Sequence, residues 1–331
     1  MSLDPKSKLY SEIKGVLEKA RAQVVHTVNH TMVSAYFEIG RLIVEHEQDG
    51  DEKAGYGLQT LKALSTKLTL EFGRGFSKRN LENMRKFYLE YGKTQTVSAQ
   101  FKLSWSHYVF LLSIPIQERC FYEIESSENQ WSLRELKRQF NTGLFDRLRL
   151  SKDKDAVKVL SKEGQIVNSP IDIIKDPYIL EFLDLKEENS YSENDLEEEI
   201  INQIEKFLLE LGKGFSFVGR QVRFTFDEDH YYIDLVFYNR LLNAFVLIDL
   251  KLGKLNHQDL GQIQMYVNYY DRYVKTEDEN LTIGIILAKS KKKSLVEITL
   301  PKNNTQIFAS QYQTYLPTKE ELLKQLDSIH Q

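Results

Sequence analysis

The chain of 331 residues is poor in cysteine, proline and glycine, and each shortage excludes something. A single cysteine, Cys120, cannot support an internal disulfide framework or a metal site built on several thiolates. Six prolines and 16 glycines are too few for a collagen-like or low-complexity chain. No apolar run reaches the ~18 residues of a membrane span, so no membrane partner is expected. The opening residues, MSLDPKSKLYSEIKG, lack the apolar stretch of a secretory leader, which makes the cytoplasm the expected compartment. A large charge excess is also missing. Lys and Arg total 44 against 48 Asp and Glu, so any nucleic-acid footprint must be local.

The charge is uneven along the chain. Residues 1–150 hold 22 basic and 18 acidic side chains, whereas residues 151–331 hold 22 and 30. The length calls for two domains, and the patterning changes near residue 151. Up to there the apolar residues recur at helical spacing, as in Leu9, Ile13 and Leu17 or Tyr36, Ile39 and Ile43. Helices are expected over Leu58–Phe72, Lys78–Tyr91, Trp105–Leu112, Gln117–Glu125 and Ser132–Leu150. After residue 151 comes an acidic stretch, with ten acids and one base over 181–205. A helix over Leu196–Leu211 follows, then strands over Phe215–Phe226, Tyr231–Tyr238 and Ala244–Leu252, joined by connections short enough for hairpins. A helix over His257–Val274 and an apolar strand over Leu281–Ala288 complete the order. The expected fold class is α+β overall, with an all-helical domain over 1–150 and an α/β domain with a mixed central sheet over 151–331.

Chemistry concentrates on the second and third strands. In Tyr-Tyr-Ile-Asp-Leu-Val-Phe, a period of two sets Asp234 opposite Ile233, Leu235 and Phe237. In Val-Leu-Ile-Asp-Leu-Lys-Leu, Asp249 and Lys251 share a face, and Ile248, Leu250 and Leu252 share the other. A hairpin would bring Asp234 beside the Asp249/Lys251 pair. Two carboxylates suit Mg²⁺, a hard cation that keeps several waters, with Mn²⁺ as a substitute. Such an ion activates water against a phosphodiester, and a lysine offsets the charge that develops. Asp-x-Lys triplets are common, and alone this one reads as the wet face of an amphipathic hairpin.

Three further features favour the metal-site reading. The flanking residues are apolar, as in buried strands, where an unpaired charge costs several kcal/mol. On the preceding helix, at about 100° per residue, Glu197 falls roughly 30° from the centre of the stripe made by Leu196, Ile200, Ile201, Ile204, Phe207, Leu208 and Leu211. Glu198, Glu199 and Glu205 fall on the wet side, which singles out Glu197 as a third metal-site acid. On the helix after the lysine strand, Gln262 could bind a phosphate or position the attacking water.

The set Glu197, Asp234, Asp249-x-Lys251 and a Gln-bearing helix resembles the PD-(D/E)XK nuclease superfamily. Longer stretches resemble its YhcG-type family over nearly the whole chain. They include FLLELGKGFSFVGRQ (207–221), YIDLVFY (232–238), GQIQMY (261–266), AYFEIGR (35–41), EFGRGFSKRNL (71–81), LSWSHY (103–108) and WSLREL (131–136). The resemblance implies a helical N-terminal domain joined to a restriction-endonuclease-like domain. It also implies prokaryotic proteins of mobile-element or defence settings, with defence-system partners. One departure is that the family usually has Glu where this chain has Asp249. Arg220 and Gln221 match the family's Gly-Arg-Gln and read as phosphate contacts, though a structural ion pair suits Arg220 equally well.

In the N-terminal half, helix 58–72, the turn Gly73-Arg74-Gly75-Phe76 and helix 78–91 have helix-turn-helix order. Lys78, Arg79 and Asn80 open the second helix and Arg74 lies on the turn, a placement that suits DNA contacts. A plain helical hairpin with solvated basic residues is the competing reading. The function expected is therefore Mg²⁺-dependent endonucleolytic cleavage of DNA. Two other readings stand beside it, a catalytically inactive nucleic-acid-binding or assembly protein on the same fold and an RNA-directed nuclease. Cutting two strands with one site per chain would favour a homo-oligomer.

Overall fold

The computed structural model describes residues 5–49, 54–92, 101–149, 154–185, 191–317 and 321, so residues 186–190 of the acidic stretch lie outside it. The chain forms two compact units, residues 1–136 and 137–331. Among the described residues, no helix is long and apolar enough to cross a membrane.

The first unit contains α1 (Pro5–Asp49), α2 (Ala54–Phe72), α3 (Lys78–Tyr91), α4 (Trp105–Leu111) and α5 (Ile116–Glu128). Its core gathers Ile43 of α1, Leu61 of α2, and Leu81 and Met84 of α3, with Tyr36 and Trp105 packed against them. Phe87 of α3 is fully buried among aromatic rings, with centroids 4.9 Å from Phe101 and 5.0 Å from Tyr108. The crossing of α1 over α3 is so close that a Cβ on Gly40 would lie 2.1 Å from the Met84 carbonyl oxygen, which explains the glycine in AYFEIGR. Ser77 caps α3, its side chain accepting from the Asn80 amide N–H.

Helix α6 (Leu133–Asn141) crosses the boundary between the units. The second unit continues with α7 (Leu144–Arg149), α8 (Lys154–Glu163), β1 (Tyr178–Ile179), α9 (Glu193–Asn202) and α10 (Ile204–Leu211). Then follow β2 (Phe215–Phe226), β3 (Asp229–Asn239), β4 (Ala244–Lys254), α11 (His257–Tyr273), β5 (Ile283–Ser290), α12 (Lys293–Thr299) and β6 (Ile307–Gln313). The sheet order is β1-β6-β5-β4-β3-β2. The β2/β3 and β3/β4 pairs are antiparallel, and β4/β5, β5/β6 and β1/β6 are parallel. One face, carrying Leu235, Phe237, Ile248, Leu250 and Leu287, packs on Leu196 and Ile200 of α9 and Phe207 and Leu211 of α10. The other, carrying Val236, Leu247 and Ile286, packs on Leu260, Ile263, Tyr266 and Val267 of α11. The expected α+β architecture with a mixed sheet is the one observed.

The structure departs from the sequence expectations in several places. The single helix expected over 132–150 is two, because Gly143 takes the left-handed conformation at φ 62° and ends α6. The helix expected over 196–211 breaks at Gln203 into α9 and α10. Strands β1 and β6 were not anticipated. Arg138, Gln139 and Arg147 belong to the second unit and bind within it. Gln139 Nε2 donates to the Leu209 carbonyl at 3.1 Å. Arg147 Nη1 donates to Glu210 Oε1 at 2.5 Å and to the Pro177 carbonyl at 3.0 Å.

Glu210 is fully buried. It also accepts from the Ile179 N–H at 3.0 Å and stands 3.5 Å from Arg138. Burial alone would raise its pKa, but Arg147, Lys175 and Arg138 together hold it down to about 2. Removing the charge strands a buried guanidinium. Glu210→Gln is expected to lower stability by about 3–5 kcal/mol, and urea unfolding checks it. A depressed carboxylate stabilises the fold above its unfolded pKa of ~4.3. That contribution is lost as pH falls from there toward 2, so the wild-type midpoint drops with acid over this window while that of the variant moves less.

Candidate active site

The antiparallel ladder between β3 and β4 runs from Asn239↔Ala244 to Leu235↔Ile248 and stops there. Beyond it β4 pairs with β5, through Asp249↔Ile286, Leu250↔Leu287 and Lys251↔Ala288, while β3 continues beside β2 alone. Asp234 sits at the mouth of this fork, and its Oδ2 accepts the Leu250 N–H at 2.8 Å. A side chain thus takes the backbone donor that the departing strand leaves behind. The regular alternation also ends here. Ile233, expected to share the face of Leu235 and Phe237, packs instead in the cluster with α11.

Asp249 is 1 % exposed, and its Oδ2 lies 2.9 Å from Lys251 Nζ. That oxygen is buried without a hydrogen-bond partner of good geometry. Burial first, and then the nearby Asp234 charge, push the Asp249 carboxyl up to about 7, even against the pull of Lys251. Burial raises Asp234 as well. For Lys251 burial acts downward, but the Asp249 carboxylate outweighs it and leaves the ammonium firmly charged.

Glu197 is buried on α9, as its place on the apolar stripe predicts, whereas Glu198 and Glu205 are exposed. Its carboxyl is raised, chiefly by burial. Gln221 of β2 joins it to Asp234, with its Nε2 donating to Glu197 Oε2 and, at 3.2 Å, to Asp234 Oδ1. Gln221 does so from φ 46°, a left-handed conformation inside a strand. Such strain, of the order of 1–3 kcal/mol, persists where surrounding structure enforces it. The Gln221 amide, expected to contact a phosphate, here bridges two acids. Arg220 Nε lies 4.0 Å from Glu197 Oε1 with half its side chain exposed, a loose pair that leaves the guanidinium facing solvent.

Gln262 donates to the Tyr266 hydroxyl, four residues on along α11. Burial raises the Tyr266 pKa, and the negative charges of Asp249 and Asp234 add to it. Two residues escaped the sequence reading. Tyr266 was legible from its i+4 spacing to Gln262. Glu193, whose Oε1 accepts the Leu252 N–H at 3.2 Å, was hidden in the acidic stretch.

Among the described residues, no three His, Cys, Asp or Glu side chains converge on one point suited to an ion. Of the three acids expected to ligate a metal, Glu197 and Asp234 are joined to each other through the Gln221 amide. A hard divalent cation asks for less, one or two carboxylates with water in the other positions. The buried Asp249 carboxylate, paired only with the Lys251 ammonium, and the adjacent Asp234 fit that demand.

Residues 171–327 match the family described as the YhcG PDDEXK nuclease domain, and residues 12–147 match the DUF1016 N-terminal domain. A relative from Escherichia coli (strain K12), named "Putative nuclease YhcG", is 38% identical over 349 residues, covering 96% of this chain and 92% of its own length. The chain belongs to the YhcG family. A crystal structure of a repair endonuclease from Pyrococcus abyssi overlaps 38% of this chain and 49% of its own at 16% identity, with a TM-score of 0.26. In this YhcG-family chain the nuclease-domain match spans every acid of the fork, together with Lys251 and Gln262.

The basic residues of the first unit are placed differently from one another. Arg74 and Arg79 are exposed, and Lys78 stands 3.6 Å from Glu82. Asn80 is committed internally. Its Nδ2 donates to the Gly75 carbonyl at 2.5 Å, and its Oδ1 accepts from Trp105 Nε1 at 2.8 Å. These two bonds tie the turn before α3 to Trp105. Arg85 and Lys86 are likewise tied, to Glu47 at 2.6 Å and to the Leu112 carbonyl at 2.6 Å.

The fork makes a distinction between two substitutions at one position. Asp234→Ala leaves the Leu250 N–H without an acceptor and is expected to cost about 1–3 kcal/mol. Asp234→Asn keeps an acceptor and should stay within about 0.5 kcal/mol of wild type. Equal loss in urea denaturation of both variants would contradict the structural role assigned to the carboxylate.

Proposed function

We propose that the chain is a Mg²⁺-dependent endonuclease that hydrolyses DNA phosphodiester bonds at the β3/β4 fork. The observation that carries this reading is the pairing of two buried, adjacent acids, Asp234 and Asp249, with a charged Lys251 2.9 Å from Asp249. Family membership supports a nuclease-type hydrolase, and the narrower statement about metal and substrate rests on the chemistry of the donors.

Asp234 and Asp249 would hold the cation, and Glu197 would enlarge the negative field through Gln221. When bound, a divalent ion polarises the phosphate and lowers the pKa of a coordinated water. Lys251 offsets the Asp249 charge in the free protein and stands ready to stabilise negative charge building on the phosphoryl oxygens. Gln262 and Tyr266 present an amide and a hydroxyl from the α11 side for orienting water or phosphate. The water oxygen bonds to phosphorus as one P–O ester bond breaks, giving a phosphate monoester and a sugar hydroxyl. In the first unit, Arg74, Lys78 and Arg79 would track the duplex backbone, and Arg220 would contact a phosphate near the fork. With one site per chain, cutting both strands of a duplex calls for two chains.

Supercoiled plasmid incubated with Mg²⁺ or Mn²⁺ tests this directly. Wild type should nick or linearise it only with metal, and Asp234→Asn, which keeps the fold, should lose at least about 100-fold in rate. Metal-independent cutting, or an Asp234→Asn rate equal to wild type, overturns the assignment. Lys251→Met cutting at the wild-type rate removes the lysine from the mechanism. For the helical unit, Arg74→Ala with Arg79→Ala should weaken duplex binding and reduce the slope of log affinity against log salt by about two. An unchanged slope places those arginines away from DNA.

A further inference from the structure

We propose that a groove beside the fork receives unpaired bases, so that the favoured substrate is DNA carrying a single-stranded segment. This deepens the nuclease reading and rests on it. The groove is a cavity of about 350 Å³ between α11 and the outer part of the β2–β3 hairpin. One wall is aromatic. Phe224 stacks on Tyr269 with centroids 4.1 Å apart, Tyr269 lies 5.3 Å from Tyr273, and Tyr273 lies 6.5 Å from Phe226. Phe226 and Tyr273 are 50 % and 62 % exposed, so the wall ends in two rings open to solvent. Met265 adds to this apolar lining, and Gln264, Asn268 and Arg272, which recur every four residues along α11, set polar groups at intervals within it.

This combination has a chemical counterpart in the nucleobase, which is a flat ring with a hydrogen-bonding edge. Aromatic rings stack on any base face, and amide or guanidinium groups meet base edges. In a duplex the base faces are hidden by stacking, so such a groove discriminates for unpaired nucleotides. Its position supplies the link to catalysis. Phe224 meets Tyr266 edge-on at 5.5 Å, and both pack in one cluster with Ile233, the residue next to Asp234 in β3. From Tyr266 to Tyr273 the helix rises about 10 Å, the length of about three stacked nucleotides at ~3.4 Å each. A strand whose phosphate sits at the fork therefore carries its neighbouring bases into the groove.

The test uses the full chain in EDTA, which separates binding from cleavage. The probe is a duplex oligodeoxynucleotide with a single-stranded tail carrying 2-aminopurine, compared with the blunt duplex. Wild type should quench the 2-aminopurine on binding. Phe226→Ala combined with Tyr273→Ala should abolish the quench and weaken tailed DNA roughly tenfold while leaving the blunt duplex unchanged. Replacing both residues with Trp should restore quench and affinity. The proposal is overturned if the alanine variant binds tailed DNA as wild type does, if blunt and tailed DNA weaken equally, or if the variant only changes the oligomeric state. Quenching without metal-dependent cleavage would count against the nuclease reading alone, and cleavage without quenching against the groove alone.

Discussion

A backbone N–H that loses its strand partner must find another acceptor or water. At the point where β4 leaves β3 for β5, the Leu250 N–H finds the Asp234 carboxylate at 2.8 Å. That one bond lets an antiparallel hairpin open into a fork without an orphaned donor. It also fixes where the acid can be. Asp234 is held at the opening, and Asp249, one residue before the bridged N–H, comes beside it. The neighbouring parallel strand β5 keeps β4 straight through Asp249, Leu250 and Lys251. The fork opens where the β3/β4 ladder ends at Leu235↔Ile248 while the β4/β5 ladder runs on through Lys251↔Ala288.

Gathering acids in such a place works against the fold. Asp234, Asp249 and Glu197 are all raised by burial, and Glu197 and Asp249 each also feel the Asp234 charge. Lys251 compensates one of them, and Gln221 gives a shared donor to two more from a strained φ of 46°. The rest of the unit is arranged to hold this cluster. The sheet is covered by α9 and α10 on one face and α11 on the other, with the Glu210 network securing the segment from α6 to β1. Charge excess at the fork and apolar order around it are two sides of one arrangement, a rigid frame around an electrostatic demand that a cation would satisfy.

Much of this was legible in the residues. Alternation in YIDLVFY and VLIDLKL placed the acids and lysine opposite the apolar rows, and helical spacing picked out Glu197 from its neighbours. Those signals are local, and local periodicity survives into the fold. What escaped depends on contacts between distant segments. Glu210 reads as one more acid on a polar helix until Arg147 arrives from 63 residues away. Gln221 reads as a phosphate ligand until the register of β2 sets it against Asp234. Asn80 looks like a groove contact until Trp105 takes its oxygen. The short strand β1 has no period to detect, and it exists because β6 offers it an edge. The break at Gly143 was visible as a glycine, but its left-handed backbone was not.

The central claim is that Asp234 and Asp249 jointly hold a divalent cation. Exchanging Mg²⁺ for Fe²⁺ in the presence of ascorbate generates hydroxyl radicals at the bound ion and cuts the nearby polypeptide, and the cut positions can be mapped by mass spectrometry. Cleavage clustered around residues 234 and 249–251, suppressed by excess Mg²⁺ and absent in Asp234→Asn, is the predicted result. Cuts elsewhere in the chain, or cuts at the fork that persist unchanged in Asp234→Asn, would contradict it.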